Sequence, residues 1–214
     1  PEPFRGSLPL TYHLGPGPAT VHLQLEFDWK LTPAYNVIAR LPGTDLADQW
    51  VIRANHHDAW VFGAADPVSG LVSMLEEARA VGLLARSGAR PRRTVIYAAW
   101  DGEEPMLLGS TEWGEQHADE LRRHAAAYIN SDGNGRGFAF VGGSQSLTRL
   151  ATEATRDVMD PEHKVSALAR HQASHPGDTF QVEAIGSGSD FTVFLDHLGI
   201  ASLNIGFSGE EPAD

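Results

Sequence analysis

Four short segments hold side chains that could bind a divalent cation and move protons: His56-His57-Asp58, Asp66, Asp101-Gly102-Glu103-Glu104 and Asn130-Ser131-Asp132. Three of them directly follow apolar, strand-like runs. Trp50-Val51-Ile52 precedes the first, Thr94 to Trp100 the third, and Ala127-Tyr128-Ile129 the fourth. In open α/β sheets, ligands bind beyond the carboxyl ends of the strands. One imidazole and several carboxylates gathered on that edge suit a hard or borderline dication, zinc above all.

Each segment also has an ordinary structural role to set against the chemical one. Asp58 stands two residues beyond His56, where its carboxylate can accept the ring N–H and leave the other nitrogen for metal. Asp66 precedes Pro67, so it can serve as a helix N-cap with Pro67 at the first helical position. Adjacent glutamates such as Glu103 and Glu104 usually mark an exposed loop. Here they come straight after an apolar strand and Trp100, where uncompensated charge is costly. Asp132 opens the turn-rich string Asp132-Gly133-Asn134-Gly135. Taken together, four such segments along one chain favour a metal site.

Composition narrows the partners. Acidic residues outnumber basic ones 28 to 16, for a net charge of −12, which argues against nucleic acid and anionic membrane. Bound cations could neutralise part of that excess. The chain has no cysteine, hence neither disulfide nor thiolate ligand. No apolar run approaches the ~20 residues of a membrane helix, so no direct membrane contact is expected of this segment. Pro1-Glu2-Pro3-Phe4-Arg5 does not read as a signal peptide.

The elements that must position these groups follow from periodicity. Residues 1–18, rich in proline and glycine, read as a linker or irregular edge; 19–214 read as one domain, with length enough for a sizeable core. Val21, Leu23, Leu25, Phe27 and Trp29 alternate as a half-buried strand does. Strands are also expected at 34–41, 50–55, 93–100, 126–131, 180–184 and 200–205. Helices are expected from Asp66 through Val81, and at 107–124, 146–158 and 190–198, with a long polar loop over 160–178. Alternating strands and helices predict a three-layer α/β/α sandwich around a mixed, mostly parallel sheet.

Longer motifs add a resemblance. His56 to Gly63 with Ala65-Asp66-Pro67 and Ser69-Gly70, Arg90 to Thr94 leading into Trp100-Asp101-Gly102-Glu103-Glu104, and Leu107 to Trp113 resemble the zinc peptidases related to glutamate carboxypeptidase. Ala127 to Asn130 and Gly186 to Phe191 fit the same family, and Arg5 to Leu8 with Gly15-Pro16-Gly17 resembles the segment before its catalytic core. The resemblance implies a zinc-exopeptidase fold and a co-catalytic pair of zinc ions. It places Asp66 as the bridging ligand, His56 and Asp132 on one ion, and Glu104 on the other. Glu103 becomes the general base, with Asp58 behind His56. It also implies small peptide substrates, a homodimeric full-length protein in an extracellular, periplasmic or membrane-anchored setting, and calcium-binding positions at Glu112 and Glu115, for which a solvated helix face competes.

The departures matter as much. The family's second zinc takes a histidine in a Tyr-His-Ser context, which this chain does not contain. None of His163, His171, His175 and His197 stands in such a motif. The 214 residues read as a catalytic domain truncated at its C-terminus, expected to hold one zinc tightly rather than two. Relatives selective for acidic substrates carry arginines after the Ile200-Ala201-Ser202 position; this chain has Leu203-Asn204-Ile205-Gly206, which weakens the case for an acidic side chain. Beside the exopeptidase reading stand a non-catalytic receptor of the transferrin-receptor type and an acyl-transferring or amide-cyclising relative.

Overall fold

The computed structural model describes Pro18, residues 20–177 and residues 180–210. The family-like segments at Arg5 to Leu8 and Gly15 to Gly17, and most of the expected linker, lie outside those residues. The chain divides into two units, Pro1–Pro33 and Ala34–Asp214.

In the described part of the first unit the strand expected over 21–29 is absent. Val21, Leu23, Leu25, Phe27 and Trp29 are all exposed, and Phe27 and Trp29 meet with ring centroids 5.4 Å apart. Alternation marks a potential strand. It becomes one only with a ladder partner and a covered face, and neither exists among the described residues.

The second unit is built on six strands: β1 (Val37–Leu41), β2 (Leu46–His56), β3 (Arg93–Trp100), β4 (Ala125–Asn130), β5 (Arg136–Gly143) and β6 (Ser202–Glu210). They lie in the order β1-β3-β2-β4-β6-β5. The four inner strands are mutually parallel, and the two edge strands β1 and β5 run antiparallel to their neighbours. The mixed, mostly parallel sheet is therefore as expected.

Helices cover both faces. On one face α1 (Val68–Arg86) lies on β2 and β3, and α4 (Thr148–Asp157) lies over β5 with α5 (Ala167–Ser174). On the other, α2 (Leu108–Gln116), α3 (Ala118–His124) and a π-helical turn Val193–His197 bury the main core. Ile52 and Ala54 of β2, Ile96, Ala98 and Trp100 of β3, and Tyr128 of β4 face that layer and meet Leu121, Phe191 and Phe194. Tyr128 stacks on Phe194 at 4.0 Å between ring centroids. A strand with helices on both faces needs apolar residues on both, which is why β3 shows a nearly unbroken apolar run.

Several boundaries differ from the periodicity reading. The single helix expected over 107–124 is broken at His117 into α2 and α3. The expected loop over 160–178 contains α5, capped by Ser166, whose hydroxyl accepts the Ala169 N–H. The expected strand at 180–184 reduces to one bridge between Glu183 and Gly142. Strand β5 had no counterpart in the sequence reading, because its glycines and alternating small residues carry little periodic signal.

Register sets the geometry that matters. His56 pairs with Trp100, Ala54 with Asn130, and Asn130 with Asn204. The carboxyl ends of β2, β3 and β4 are level, so the segments that follow them open at one edge.

Candidate metal centre

His56 ends β2 fully buried. Its Nε2 lies 3.1 Å from Asp66 Oδ1, 3.1 Å from Asp132 Oδ1 and 3.9 Å from Glu103 Oε2. Ligand atoms of His56, Asp66 and Asp132 all lie within 4.8 Å of one another, the one such group among the described residues. The ring's other nitrogen, Nδ1, is 3.1 Å from the Asp58 carbonyl oxygen and 3.4 Å from Asp58 Oδ1. Asp58 thus holds the ring through its backbone carbonyl, while its carboxylate stands close by.

Asp66 is not the N-cap of α1. Pro67 takes that position, without a side-chain cap, and the Val68 N–H is satisfied by the Gly63 carbonyl at 3.0 Å. The Asp66 carboxylate is left to face His56. Burial by itself would lower the His56 pKa. The hydrogen bond and charge of Asp132, with Glu103 and Asp190, outweigh it and push His56 up to about 9. Asp132, although burial raises it, is held below the usual carboxylate range by hydrogen bonds from His56 and Ser189. Asp66 is raised by its own burial and by the Asp132 charge. One cation therefore serves several carboxylates, which is an arrangement that favours replacing the imidazolium proton by a dication.

Glu103 and Glu104 sit in the turn after β3. Asp58 organises that turn: its Oδ1 accepts the Glu103 N–H at 3.0 Å and its Oδ2 the Glu104 N–H at 3.1 Å. The two side chains then diverge. Glu104 Oε1 accepts the Trp60 N–H at 3.1 Å, while Glu103 turns toward His56. Burial first, then the charges of Asp132, Glu104 and Asp66, push Glu103 up to about 7, against the pull of His56. The turn closes through Met106 and Leu107, both left-handed at φ 88° and 59°. Non-glycine residues held there carry backbone strain, as segments at functional sites often do. Asp58→Asn should weaken zinc affinity roughly 10–100-fold, since it turns an oxygen facing an N–H into an amide. An unchanged affinity in a zinc titration would confine Asp58 to the turn.

Several residues of the site had no assigned role in the sequence, although Gly70, Ser189 and Asp190 lie within the family-like motifs. Asn55, fully buried, donates from Nδ2 to the carbonyls of Pro67 and Asp132, both at 3.0 Å, and ties the two ligand segments together. Gly70 lets α1 approach them, since a Cβ there would stand 2.0 Å from the carbonyl oxygens of Ser131 and Asp132. Ser189 donates to Asp132 Oδ2 at 2.5 Å. Asp190 is wholly buried. Burial pushes it up to about 7, and although the Ser110 hydroxyl is near enough to pull it down, neither oxygen has a partner of hydrogen-bond geometry. Buried carboxylates of this kind collect at functional sites.

Other expected positions lie elsewhere. His163 pairs with Asp160 at 3.0 Å, and His171 and His175 stack on each other at 4.6 Å. Neither these nor His197 joins the metal group. Glu112 and Glu115 line a shallow cleft with Asn36 and Gln116, and no group of three metal-ligating side chains forms there among the described residues.

One imidazole nitrogen and two carboxylate oxygens converging at a strand edge match a zinc site with an open fourth position. Fold and site together define a metal-binding α/β/α domain. The chain belongs to Peptidase family M28, whose model matches residues 36–213. It is 37% identical over 202 residues to a probable glutamate carboxypeptidase, VP8, of Zea mays, covering 93% of this chain and 28% of that protein. It is 32% identical over 231 residues to the aminopeptidase NAALADL1 of Mus musculus, covering 97% and 30%. Among solved structures it resembles BSAP, a zinc aminopeptidase from Bacillus subtilis, with a TM-score of 0.58 and 22% identity over 83% of this chain and 42% of that one. The chain thus spans under a third of the length of these sequence relatives.

Proposed function

We propose that this chain is the metal-bearing core of a co-catalytic zinc exopeptidase that hydrolyses small peptides. The observation that carries the reading is the convergence of His56, Asp66 and Asp132, with Glu103 beside them and outside the ligand group. His56 and Asp132 would hold one zinc, Asp66 would bridge, and Glu104 would contribute to the second. Zinc bound there supplies Lewis acidity to a water and to the scissile carbonyl. Glu103 takes the proton of the attacking water on its carboxylate and delivers it to the nitrogen of the leaving amine. Its elevated pKa keeps that exchange near balance at neutral pH, although a bound dication draws the value down.

The site is strongly acidic, and Arg53, three residues before His56, is buried and paired with Glu77 at 3.0 Å. That supports substrates without an acidic side chain. Calcium at Glu112 and Glu115 would need ligands from beyond the described residues. The alternative, a receptor of the transferrin-receptor type, has no use for a general base beside three convergent ligands.

A zinc titration tests the reading. The 214-residue chain should bind about one zinc tightly and release about one proton near pH 7–8, because His56 is charged below about 9 and must be neutral to ligate. Affinity should fall about tenfold per pH unit on acidification through that range. The sign is the same for stability of the metal-free chain. The folded His56 pKa lies above its unfolded value, so its contribution is complete below about 6.5 and is lost as pH rises through about 9. Calorimetry in buffers of different ionisation enthalpy reads the proton directly. Absence of zinc binding refutes the proposal, and two tight ions would require a further ligand.

A further inference from the structure

The segment Gly186 to Phe191 carries a motif to which the reading above gives no role, and the core beneath it holds a hydroxyl that packing alone does not need. Tyr128 lies fully buried among Trp100, Phe191 and Phe194. A phenylalanine would fill the same space. Its hydroxyl is instead the second member of an unbroken series of hydrogen bonds, buried as far as Ser189. Trp100 Nε1 donates to Tyr128 Oη at 3.0 Å, and Tyr128 Oη to Asn130 Oδ1 at 3.1 Å. Asn130 Nδ2 donates to Ser189 Oγ at 3.0 Å, and Ser189 Oγ to Asp132 Oδ2 at 2.5 Å.

The direction of this series is determined at its far end. An indole nitrogen can only donate, so the Tyr128 oxygen accepts and its single proton goes to Asn130. Burial pushes the Tyr128 hydroxyl well above its usual pKa, so that proton stays in place. The Asn130 amide is thereby oriented with its NH2 toward Ser189, and also toward Asn204 Oδ1 at 3.2 Å. Ser189 already accepts one hydrogen bond, so its own proton turns to Asp132. Asp132 Oδ2 is thus supplied with a donor, while Oδ1 faces His56 and the ligand group. Trp100, Tyr128 and Asn130 are fully buried and Ser189 is 1% exposed, so water does not compete for these partners.

We infer that Tyr128, from within the hydrophobic core, is a positioning residue for the metal centre, acting through Asn130 and Ser189 to hold Asp132 with one oxygen turned to the metal. The inference rests on the zinc reading above. It adds a remote residue that touches neither ligand nor substrate.

Zinc dissociation constants of the 214-residue chain, from chelator competition, test it, with circular dichroism confirming the fold of each variant. Tyr128→Phe should weaken zinc binding about tenfold, and Ser189→Ala about 10–100-fold. In the double variant, Tyr128→Phe should add nothing to Ser189→Ala, because both break one series. Asn130→Asp separates the series from simple electrostatics. An added carboxylate near the site should by itself tighten zinc. If the series operates, the aspartate accepts the Ser189 proton, deprives Asp132 of it, and weakens zinc about tenfold or more. If Tyr128→Phe does not fold, Asn130→Asp alone decides. Wild-type zinc binding with unchanged affinity in Tyr128→Phe, multiplying effects in the double variant, or tighter binding in Asn130→Asp overturns the inference and leaves the zinc reading intact. A wild-type chain that binds no zinc overturns both.

Discussion

Replacing Glu103 by Gln should abolish peptide hydrolysis while zinc stays bound. The substitution preserves shape and removes a carboxylate that stands outside the ligand group on the metal-facing side of His56, with its Oε2 3.9 Å from His56 Nε2. Loss of a general base typically costs ~10²–10⁴-fold in rate. The environment of Glu103 is suited to that role: burial and neighbouring carboxylates raise its pKa to about 7 without metal, which offsets the downward pull of a bound dication. Glu104, the next residue in the same turn, is engaged by the Trp60 N–H and faces another way. Hydrolysis measured on an active preparation, beside zinc affinity of the same variant, decides the assignment. Zinc lost together with activity would mean that Glu103 and Glu104 exchange or share their roles.

Gly70→Ala should disrupt the centre from behind, against the ordinary preference of a helix. Alanine in place of a helical glycine normally stabilises by up to about 1 kcal/mol. At Gly70 a methyl group would stand 2.0 Å from the carbonyl oxygens of Ser131 and Asp132 and 2.8 Å from Asn55 Nδ2. Backbone atoms cannot rotate aside as a side chain can, so α1 or the Asp132 segment must move. Overpacking of this kind costs ~1–3 kcal/mol or more, which outweighs the propensity gain. For a chain of this size that corresponds to a fall of roughly 2–12 °C in Tm, with a parallel loss of zinc affinity as Asp132 shifts. Thermal unfolding with and without zinc reads both. A variant as stable as the parent, with unchanged zinc affinity, would mean that the helix has room the structure does not show.

The sequence by itself determined the class of fold and the residue types of the centre. Strands β2, β3 and β4 announced themselves as apolar runs, because burial on both faces of a sheet leaves no choice of residue. The segments after them were recognisable because imidazole and carboxylate groups are seldom placed together beside buried strands without a use. Where one periodicity could serve two structures, the reading failed. Val21 to Trp29 alternates like a strand and forms none, since a strand is made by its neighbour as much as by its own residues. Residues 167–174 are polar enough for a loop and form α5, since packing against α4 and β5 outweighs weak propensity.

Only the tertiary structure decided what holds the ligands in place. Asp66 could cap a helix or leave its carboxylate free, and the Gly63 carbonyl takes the helix's first N–H, so the Asp66 carboxylate faces His56 instead. Asp58 could orient His56 or hold the next turn, and it does both, because β2 and β3 end at the same level. Asn55 is unremarkable in sequence; Gly70, Ser189 and Asp190 stand in motifs that give no role to any of them, and the last two come more than fifty residues after Asp132. Their roles arise from hydrogen bonds and close approaches between segments distant in the chain. Local periodicity records which face of an element is buried, and it holds no information about which distant group will be buried against it.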